Sequence, residues 1–183
     1  PQDREYIGVD HGVEELLKQE ITPKFAIGDF DSLQNRQTLE NLNIQILPER
    51  KDVTDTHAAI EYAISKGYDE IEIYGATGGR LDHFFAVMCL LEKYQDIKLK
   101  VIDQQNCIQL LKPGKHYIYN QGYYYFSLFA LNESIISIDQ AEYTLDRYLL
   151  KREDPLCVSN EVKGEYAIIE NSGNIILVQS RDA

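Results

Sequence analysis

The stretch Phe25-Ala26-Ile27-Gly28-Asp29-Phe30-Asp31-Ser32 gives the first indication of how this chain folds. Its short apolar run predicts a buried strand, and the glycine that follows allows a sharp turn. Asp29 and Asp31 alternate along that turn and could project toward one small volume, with Ser32 as the N-cap of a helix. Two close carboxylates repel each other unless a cation or a proton lies between them. The motif is compatible with a metal site, although a polar strand-to-helix turn is the simpler interpretation of an isolated Asp-x-Asp.

The composition is that of an ordinary globular protein. The chain has 183 residues, of which 44% are apolar and 26% are charged, and its net charge is −12. This acidic balance argues against a nucleic-acid binder, which needs basic surfaces. No apolar run approaches the roughly 20 residues that cross a bilayer, so we expect no membrane partner. Cys89, Cys107 and Cys157 form no Cys-x-x-Cys pair, which indicates reduced thiols in a cytoplasmic protein.

Apolar runs and helical patterns alternate through the first half of the chain. Strands are predicted at 6–9, 25–27, 44–47, 71–74 and 99–102, with helices at 13–19, 33–39, 55–66 and about 83–94. Such alternation predicts a mostly parallel sheet. The later part has short alternating runs at 107–111, 116–119, 123–128, 134–138, 142–145, 166–170 and 174–178. We therefore predict an α/β plus all-β fold, with a mostly parallel α/β domain over residues 1–105 and an antiparallel β-sandwich over residues 106–183.

Four acidic loops directly follow predicted strands. Their carboxylates are Asp10, then Asp29 and Asp31, then Asp52 and Asp55, and finally Asp82. Because the carboxyl ends of parallel strands meet at one edge, where ligands bind, we expect these loops to lie together. Magnesium prefers hard oxygen ligands and usually shares its shell with substrate phosphates. The predicted Mg²⁺ ligands are Asp29, Asp31, Asp52 and Asp55.

Two further loops point to phosphate. Gly75-Ala76-Thr77-Gly78-Gly79-Arg80 supplies three glycines, which let backbone amides approach phosphate oxygens, and a fork-shaped cation. It matches neither common nucleotide fingerprint, so a flexible turn explains it about as well. Lys51-Asp52-Val53-Thr54-Asp55 adds an ammonium group and, at Thr54, an expected helix N-cap. Together the loops predict metal-dependent phosphoryl-type transfer on a nucleotide, with the acceptor left open.

At these residues the chain resembles the thiamin pyrophosphokinase family. The matching pieces are Val9-Asp10-His11-Gly12, Gly28-Asp29-Phe30-Asp31-Ser32, Lys51-Asp52-Val53-Thr54-Asp55, Gly75 to His83, and Val158-Ser159-Asn160-Glu161. Their order and spacing agree over nearly the whole chain. The resemblance implies transfer of the β,γ-pyrophosphoryl group of ATP to the hydroxyl of thiamin, which gives thiamin diphosphate and AMP. It also implies a homodimer whose β-sandwich helps to form the thiamin pocket across the interface.

The resemblance assigns roles to individual residues. The magnesium–phosphate site would be lined by Asp10, Asp29, Asp31, Asp55 and Asp82. The catalytic residues would be Asp29, Asp31, Asp55, Asp82 and Arg80. The phosphates of ATP would contact Ser32, Lys51, Thr54, Gly78, Gly79 and Arg80. Thiamin would be bound by Ser159 and Asn160, at its aminopyrimidine, and by Asp10. Family members usually begin with another strand and a glycine-rich turn, for which Pro1 to Glu5 leaves no room.

Three alternatives stay open at this point. The same chemistry could act on a hydroxymethylpterin, although Ser159-Asn160 in the β-domain favours thiamin. A Mg²⁺-dependent phosphohydrolase could use Asp29 and Asp31, with a covalent phospho-aspartate as its diagnostic intermediate. The third alternative is a non-catalytic thiamin- or nucleotide-binding protein.

Overall fold

The computed structural model describes residues 4–28, 45–46 and 52–183. Within these ranges the chain forms three helices and thirteen strands. The helices are α1 (Gly12–Lys18), α2 (Asp55–Ser65) and α3 (Leu81–Lys93). The strands are β1 (Ile7–Val9), β2 (Phe25–Ile27), β3 (Gln45–Ile46), β4 (Glu70–Tyr74), β5 (Lys98–Ile102), β6 (Asn106–Leu111), β7 (Gly114–Tyr119), β8 (Tyr125–Ala130), β9 (Glu133–Asp139), β10 (Leu145–Lys151), β11 (Asn160–Glu161), β12 (Tyr166–Asn171) and β13 (Ile175–Ser180). None of the helices in this part of the chain has the length and hydrophobicity needed to span a bilayer.

The chain divides into two compact units, Pro1–Tyr68 and Asp69–Ala183. The first contains a small parallel sheet with the strand order β1-β2-β3. Helix α2 packs on this sheet, since Ala58 and Ala59 are buried against Ile27. Val53 packs against the same cluster, so the residues that lead into α2 lie against the sheet. The helix predicted at 33–39 lies outside the described residues.

The second unit is built from two sheets. One is antiparallel with the order β10-β9-β12-β7, and the other has six strands in the order β11-β8-β13-β6-β5-β4. Side chains from both sheets form one buried core, in which Phe126 and Leu177 pack with Ile136 and Ile169. Buried and more exposed residues alternate along β9 and β12, which is the pattern from which the sandwich is predicted.

The grouping of β4 and β5 differs from the expectation. The sequence pattern predicts one parallel sheet of five strands, whereas in the described residues β4 and β5 are the parallel edge of the six-stranded sheet. The reason is a tight turn after β5, where the N–H of Asp103 donates to the carbonyl of Asn106 and β6 returns antiparallel to β5. The domain boundary predicted after residue 105 falls inside this hairpin and stays a prediction.

Strand β10 also differs from the sequence pattern. The prediction places a strand at 142–145, whereas the structure has it at Leu145–Lys151. The pairing of β10 with β9 shifts register between Leu145 and Tyr148, and Arg147 adopts a φ of +48°. A bulge of this kind interrupts the alternation of apolar and polar side chains, so the period-2 pattern is lost.

Candidate active site

Asp10 and Gly28 lie side by side at the ends of β1 and β2. The N–H of Asp10 donates to the carbonyl of Ile27 at 2.9 Å. Gly28 is buried with a φ of +142°, and a Cβ atom there would lie 2.1 Å from Oδ1 of Asp10. Asp10 itself has a φ of +46°, which few residues other than glycine adopt. Its carboxylate is therefore held against the backbone that leads into Asp29.

The start of α2 presents a hydroxyl and two carboxylates. Thr54 is the N-cap, since its Oγ1 accepts from the N–H of His57 at 3.2 Å, and this prediction is confirmed. The Thr54 hydroxyl still has a hydrogen that a phosphate could accept. Asp52 is exposed, and Asp55 is half-buried in the first helical turn, where the helix dipole favours a negative charge.

Four predicted site residues lie outside the described residues: Asp29, Asp31, Ser32 and Lys51. Within the described ranges, no group of three or more His, Cys, Asp or Glu side chains is arranged to hold a metal ion. The acidic candidates described in the first unit are Asp10, Asp52 and Asp55, and none of the three is buried. Carboxylates that water can reach are the donors Mg²⁺ prefers, because this ion keeps several of its waters. The donor chemistry of these loops therefore fits magnesium.

The glycine-rich loop joins β4 to α3. Gly75 and Gly78 have φ values of +75° and +79°, which explains glycine at both positions. Gly79 has no such φ, and a Cβ atom placed there would meet nothing within 4 Å. In the part of the chain that the structure describes, neither the backbone nor the packing requires glycine at Gly79. The open space beside it is where a ligand could approach the loop backbone.

Arg80 and Asp82 form an exposed ion pair at the start of α3. Nε of Arg80 donates to Oδ1 of Asp82 at 3.1 Å, and Nη2 donates to Oδ2 at 2.5 Å. The hydrogen bonds from Arg80 are the main cause that lowers the pKa of Asp82 to about 2, aided by the N–H of His83. Exposed ion pairs contribute little to stability, and a guanidinium group binds phosphate as readily as carboxylate. Arg80 can therefore exchange Asp82 for a substrate phosphate.

The segment with Ser159 and Asn160 is built into the sandwich. Asn160 is 5% exposed. Its Oδ1 accepts from the N–H groups of Tyr143 and Glu161 at 3.0 and 2.9 Å, and its Nδ2 donates to the carbonyl of Tyr143 at 2.7 Å. Ser159 has a φ of +59°, and its N–H donates to Oγ of the buried Ser127 at 3.0 Å. Asn160 thus positions the backbone of Tyr143, while the side chain of Ser159 is exposed.

A cavity of about 390 Å³ adjoins Asn160. Its walls are mostly apolar and are formed by Ile138, Tyr143, Thr144, Leu145, Leu156, Cys157, Val158 and Asn160. Tyr143 and Leu156 expose 68% and 56% of their surface, so the cavity opens to solvent beside apolar side chains. A concave apolar site of this size with a few polar groups is suited to a small aromatic ring.

The glycine-rich loop and Asn160 lie at the same end of the six-stranded sheet but at its opposite edges. One row of paired residues crosses the whole sheet: Tyr74, Ile102, Cys107, Gln179, Phe126 and Asn160. Five strand spacings separate the two ends of this row, which corresponds to roughly 24 Å. Within the second unit of one chain, the candidate phosphate-binding loop and the candidate thiamin-binding segment are therefore far apart.

Sequence reasoning misses two contributors to these sites. Oγ1 of Thr77 donates to Oδ2 of Asp103 at 2.6 Å, which ties the glycine-rich loop to the end of β5. Asp103 follows a parallel strand, as the predicted acidic loops do, so the same signal could have found it. The cavity walls at Tyr143 and Leu156 have no local motif that could have marked them.

Comparison with known proteins identifies the family. Residues 2–102 match the model described as "Thiamin pyrophosphokinase, catalytic domain", and residues 115–176 match "Thiamin pyrophosphokinase, vitamin B1 binding domain". This chain belongs to the thiamin pyrophosphokinase family. Thiamine pyrophosphokinase of Bacillus subtilis (strain 168) is 35% identical over 189 residues, which cover 97% of this chain and 87% of the relative. The predictions of the family and of its enzyme class are confirmed.

Solved thiamin pyrophosphokinase structures share the fold of this chain. The crystal structure of the Bacillus subtilis protein has a TM-score of 0.90 and 33% identity, and the match covers 98% of this chain and 88% of that one. The Geobacillus thermodenitrificans structure has a TM-score of 0.91 and 31% identity, covering 100% and 89%. The similarity extends over the α/β and the β-rich parts of the chain.

Proposed function

We propose that this enzyme transfers the β,γ-pyrophosphoryl group of ATP to the hydroxyl of thiamin, with thiamin diphosphate and AMP as products. The observation that carries this proposal is the match of both family domains in order along the chain. The geometry of the two matched regions supports it. The first contains an open glycine-rich loop with an exposed guanidinium group, and the second contains an apolar cavity beside Asn160.

The proposed reaction depends on positioning and on neutralisation of charge. The thiamin hydroxyl attacks the β-phosphorus of ATP, a new oxygen–phosphorus bond forms, and the bond to the oxygen bridging the α- and β-phosphates breaks. Arg80 leaves Asp82 and pairs with phosphate oxygens, while loop amides near Gly79 donate to others. A carboxylate of the acidic loops accepts the proton of the hydroxyl. The net charge of −12 attracts the cationic thiazolium ring.

The cavity beside Asn160 is the proposed site for the aminopyrimidine. Leu156 and Val158 offer apolar contacts to a flat ring, and the exposed hydroxyl of Ser159 can donate to or accept from it. Asn160 contributes chiefly by fixing the Tyr143 backbone that lines the cavity. Ring stacking and a few polar contacts together would select thiamin over bulkier bicyclic alcohols.

We propose Mg²⁺ as the metal, held by Asp29, Asp31, Asp52 and Asp55, with Asp10 beside them. When bound, magnesium neutralises the charge on the transferred phosphates. The chemistry of the described carboxylates supports this ion rather than zinc, which prefers nitrogen and sulfur. Asp31→Ala should abolish turnover and Mg²⁺ binding by isothermal titration while the circular dichroism spectrum stays unchanged. A near-normal rate in this variant would remove Asp31 from the metal site.

We further propose that the enzyme is a homodimer with shared active sites. Reacting atoms must approach to about 3.5 Å. Within one chain, however, Asn160 and the end of β4 are roughly 24 Å apart, and thiamin bridges only part of that distance. A second copy that presents its cavity to the glycine-rich loop removes the gap. A closed two-fold arrangement would then contain two identical sites, each with residues from both chains.

A reducing compartment such as the cytoplasm is the proposed location. The three cysteines Cys89, Cys107 and Cys157 are free thiols. Burial raises the pKa of the Cys157 thiol to about 11, and burial also raises that of Cys107, so both resist oxidation. Thiols of this kind need no oxidising compartment for folding.

Product analysis tests the proposed function. The purified protein is incubated with MgCl₂, ATP and thiamin, and the nucleotides and thiamin esters are separated by chromatography. We expect AMP and thiamin diphosphate to form in equal amounts. ADP or free phosphate as the main product would contradict the proposal, and so would turnover with a hydroxymethylpterin but not with thiamin.

A further inference from the structure

Thr77 links the middle of the glycine-rich loop to a neighbouring strand end. Its Oγ1 donates to Oδ2 of Asp103 at 2.6 Å, and both residues are half-buried. Because β4 and β5 are parallel neighbours, the loop after β4 and Asp103 after β5 emerge at the same edge. The hydrogen bond therefore connects two segments that are 26 residues apart in sequence.

The carboxylate of Asp103 is fixed by hydrogen bonds within its own turn, in addition to the one from Thr77. Its Oδ1 accepts from the N–H groups of Gln105 and Asn106 at 2.7 and 2.6 Å. Nδ2 of Asn106 lies 3.1 Å from both carboxylate oxygens. Burial acts to raise the pKa of Asp103, but the hydrogen bonds from Thr77 and from the turn outweigh it and lower the pKa. The carboxylate is thus ionised at neutral pH and accepts from several fixed donors.

The turn that carries Asp103 is itself anchored. Nε of Arg181 donates to the carbonyl of Gln104 at 2.7 Å, and its N–H donates to the carbonyl of Gln105 at 2.9 Å. The glycine-rich loop, by contrast, has glycines on both sides of Thr77, and glycine has the largest backbone freedom to lose on ordering. A rigid turn therefore holds a segment that would otherwise sample many conformations.

We propose that Thr77 and Asp103 are positioning residues for ATP, which preorganise the glycine-rich loop so that its backbone N–H groups face the phosphates. This inference rests on the proposed function. Neither side chain needs to touch substrate. Without the hydrogen bond the loop must be ordered when ATP binds, and the affinity for ATP falls by the free energy of that ordering. Thiamin binding and the rate at saturating substrates depend on other residues and should change little.

Two variants of Thr77 give a matched test. Thr77→Val keeps the shape of the side chain and removes the hydroxyl, whereas Thr77→Ser keeps the hydroxyl. We expect Thr77→Val to raise the KM for ATP roughly 3- to 10-fold, because the net free energy of one hydrogen bond is lost. The KM for thiamin and kcat should stay near wild type, and the thermal midpoint should fall by only a few degrees, as expected for the loss of one hydrogen bond. Thr77→Ser should restore the KM for ATP to within about twofold of wild type.

Backbone ¹⁵N order parameters of the substrate-free protein provide a second readout. Thr77→Val should lower the order parameters over residues 76–80, and Thr77→Ser should not. A wild-type KM for ATP or wild-type order parameters in Thr77→Val would overturn the inference, as would an equal rise in the KM for thiamin. If the wild-type protein forms no thiamin diphosphate, the proposed function fails. The comparison of order parameters then still shows whether Thr77 orders the loop.

Discussion

The glycine-rich loop and the Ser159–Asn160 segment, at opposite edges of one sheet, are built in opposite ways. In the loop, Arg80 and Asp82 are exposed, and among the described residues they pair with each other and with the adjacent backbone. In the segment, Asn160 is buried and its amide is hydrogen-bonded to the backbone of Tyr143. An exposed charge can exchange a protein partner for a substrate, whereas a buried amide cannot do so without loss of stability. The loop can therefore change partners during turnover, and the segment provides a fixed wall.

Arg80→Ala should have the largest effect on activity. Removal of a preorganised donor to developing charge lowers kcat by roughly 10²- to 10³-fold. Because Arg80 is exposed, the thermal midpoint and the affinity for thiamin should stay unchanged. Arg80→Lys is the control, since it keeps the positive charge but loses the bidentate guanidinium group, and it should recover part of the rate. Steady-state kinetics with both substrates measures this, and a near-normal kcat in Arg80→Ala would show that the loop does not bind the transferred group.

Asn160→Ala should affect stability as well as binding. It leaves the part-buried N–H and carbonyl of Tyr143 without their Asn160 partner and opens a gap at a buried side chain, which lowers the free energy of unfolding by about 1–3 kcal/mol. The affinity for thiamin should fall while that for ATP persists. Urea denaturation and titration with each substrate check the two effects. Ser159→Ala is the stability control, because its backbone hydrogen bond to Ser127 is retained. An unchanged affinity for thiamin in Asn160→Ala would remove this residue from the pocket.

Gly79→Ala should separate ligand approach from folding. The space beside Gly79 is open and its φ is one that alanine adopts, so the free energy of unfolding should not decrease. If a phosphate approaches this backbone, the added methyl group should raise the KM for ATP roughly tenfold, the equivalent of about 1.4 kcal/mol. Gly78→Ala is the contrasting variant, because its φ of +79° makes alanine strained and the protein less stable. A wild-type KM in Gly79→Ala would argue against phosphate at this position.

The smallest effect is expected from pH. The pKa of Asp82 is lowered from its ordinary value of 3.8 to about 2 in the folded protein. The Arg80–Asp82 attraction is therefore fully present above pH 4 and is lost as the pH falls toward 2. The difference in thermal midpoint between wild type and Asp82→Asn should be constant from pH 8 to pH 5 and should shrink below pH 4. A change in that difference between pH 7 and pH 5 would show that Asp82 titrates with a different pKa.

Local patterns were sufficient for much of the fold and for the position of the glycine-rich loop. Helix α2 was predictable because Thr54 caps it and Gly67, with a φ of +88°, ends it. The loop before α3 was predictable because glycine and arginine cluster between a strand and a helix. Local patterns therefore place the loops that carry the candidate residues, while the roles of these residues in binding stay predictions.

Pairings between distant segments were beyond the sequence pattern. The addition of β4 and β5 to the sandwich sheet depends on the hairpin with β6, and periodicity does not indicate which strands pair. The same is true of Thr77 with Asp103 and of Asn160 with Tyr143, since each contact joins segments far apart in sequence. Side-chain roles that depend on tertiary contacts appear only once the sheet order is known.

In the proposed homodimer, the two sheet edges of one chain serve different active sites. Two variants, each impaired at one edge, test it directly. Arg80→Ala impairs the phosphate edge. Val158→Arg fills the cavity and places a positive charge against the cationic thiamin, and because Val158 is 47% exposed the fold should tolerate it. The two variants are co-expressed with different affinity tags, and the mixed dimer is isolated by two successive purifications.

Each homodimer should be nearly inactive, because both of its sites carry one impaired edge. The mixed dimer should contain one site with both changes and one site with neither, and should recover about half of the wild-type activity. A mixed dimer no more active than the two parent variants would contradict the shared site. If no mixed dimer can be isolated and the wild type and both variants are all monomeric, the proposal of a homodimer is contradicted.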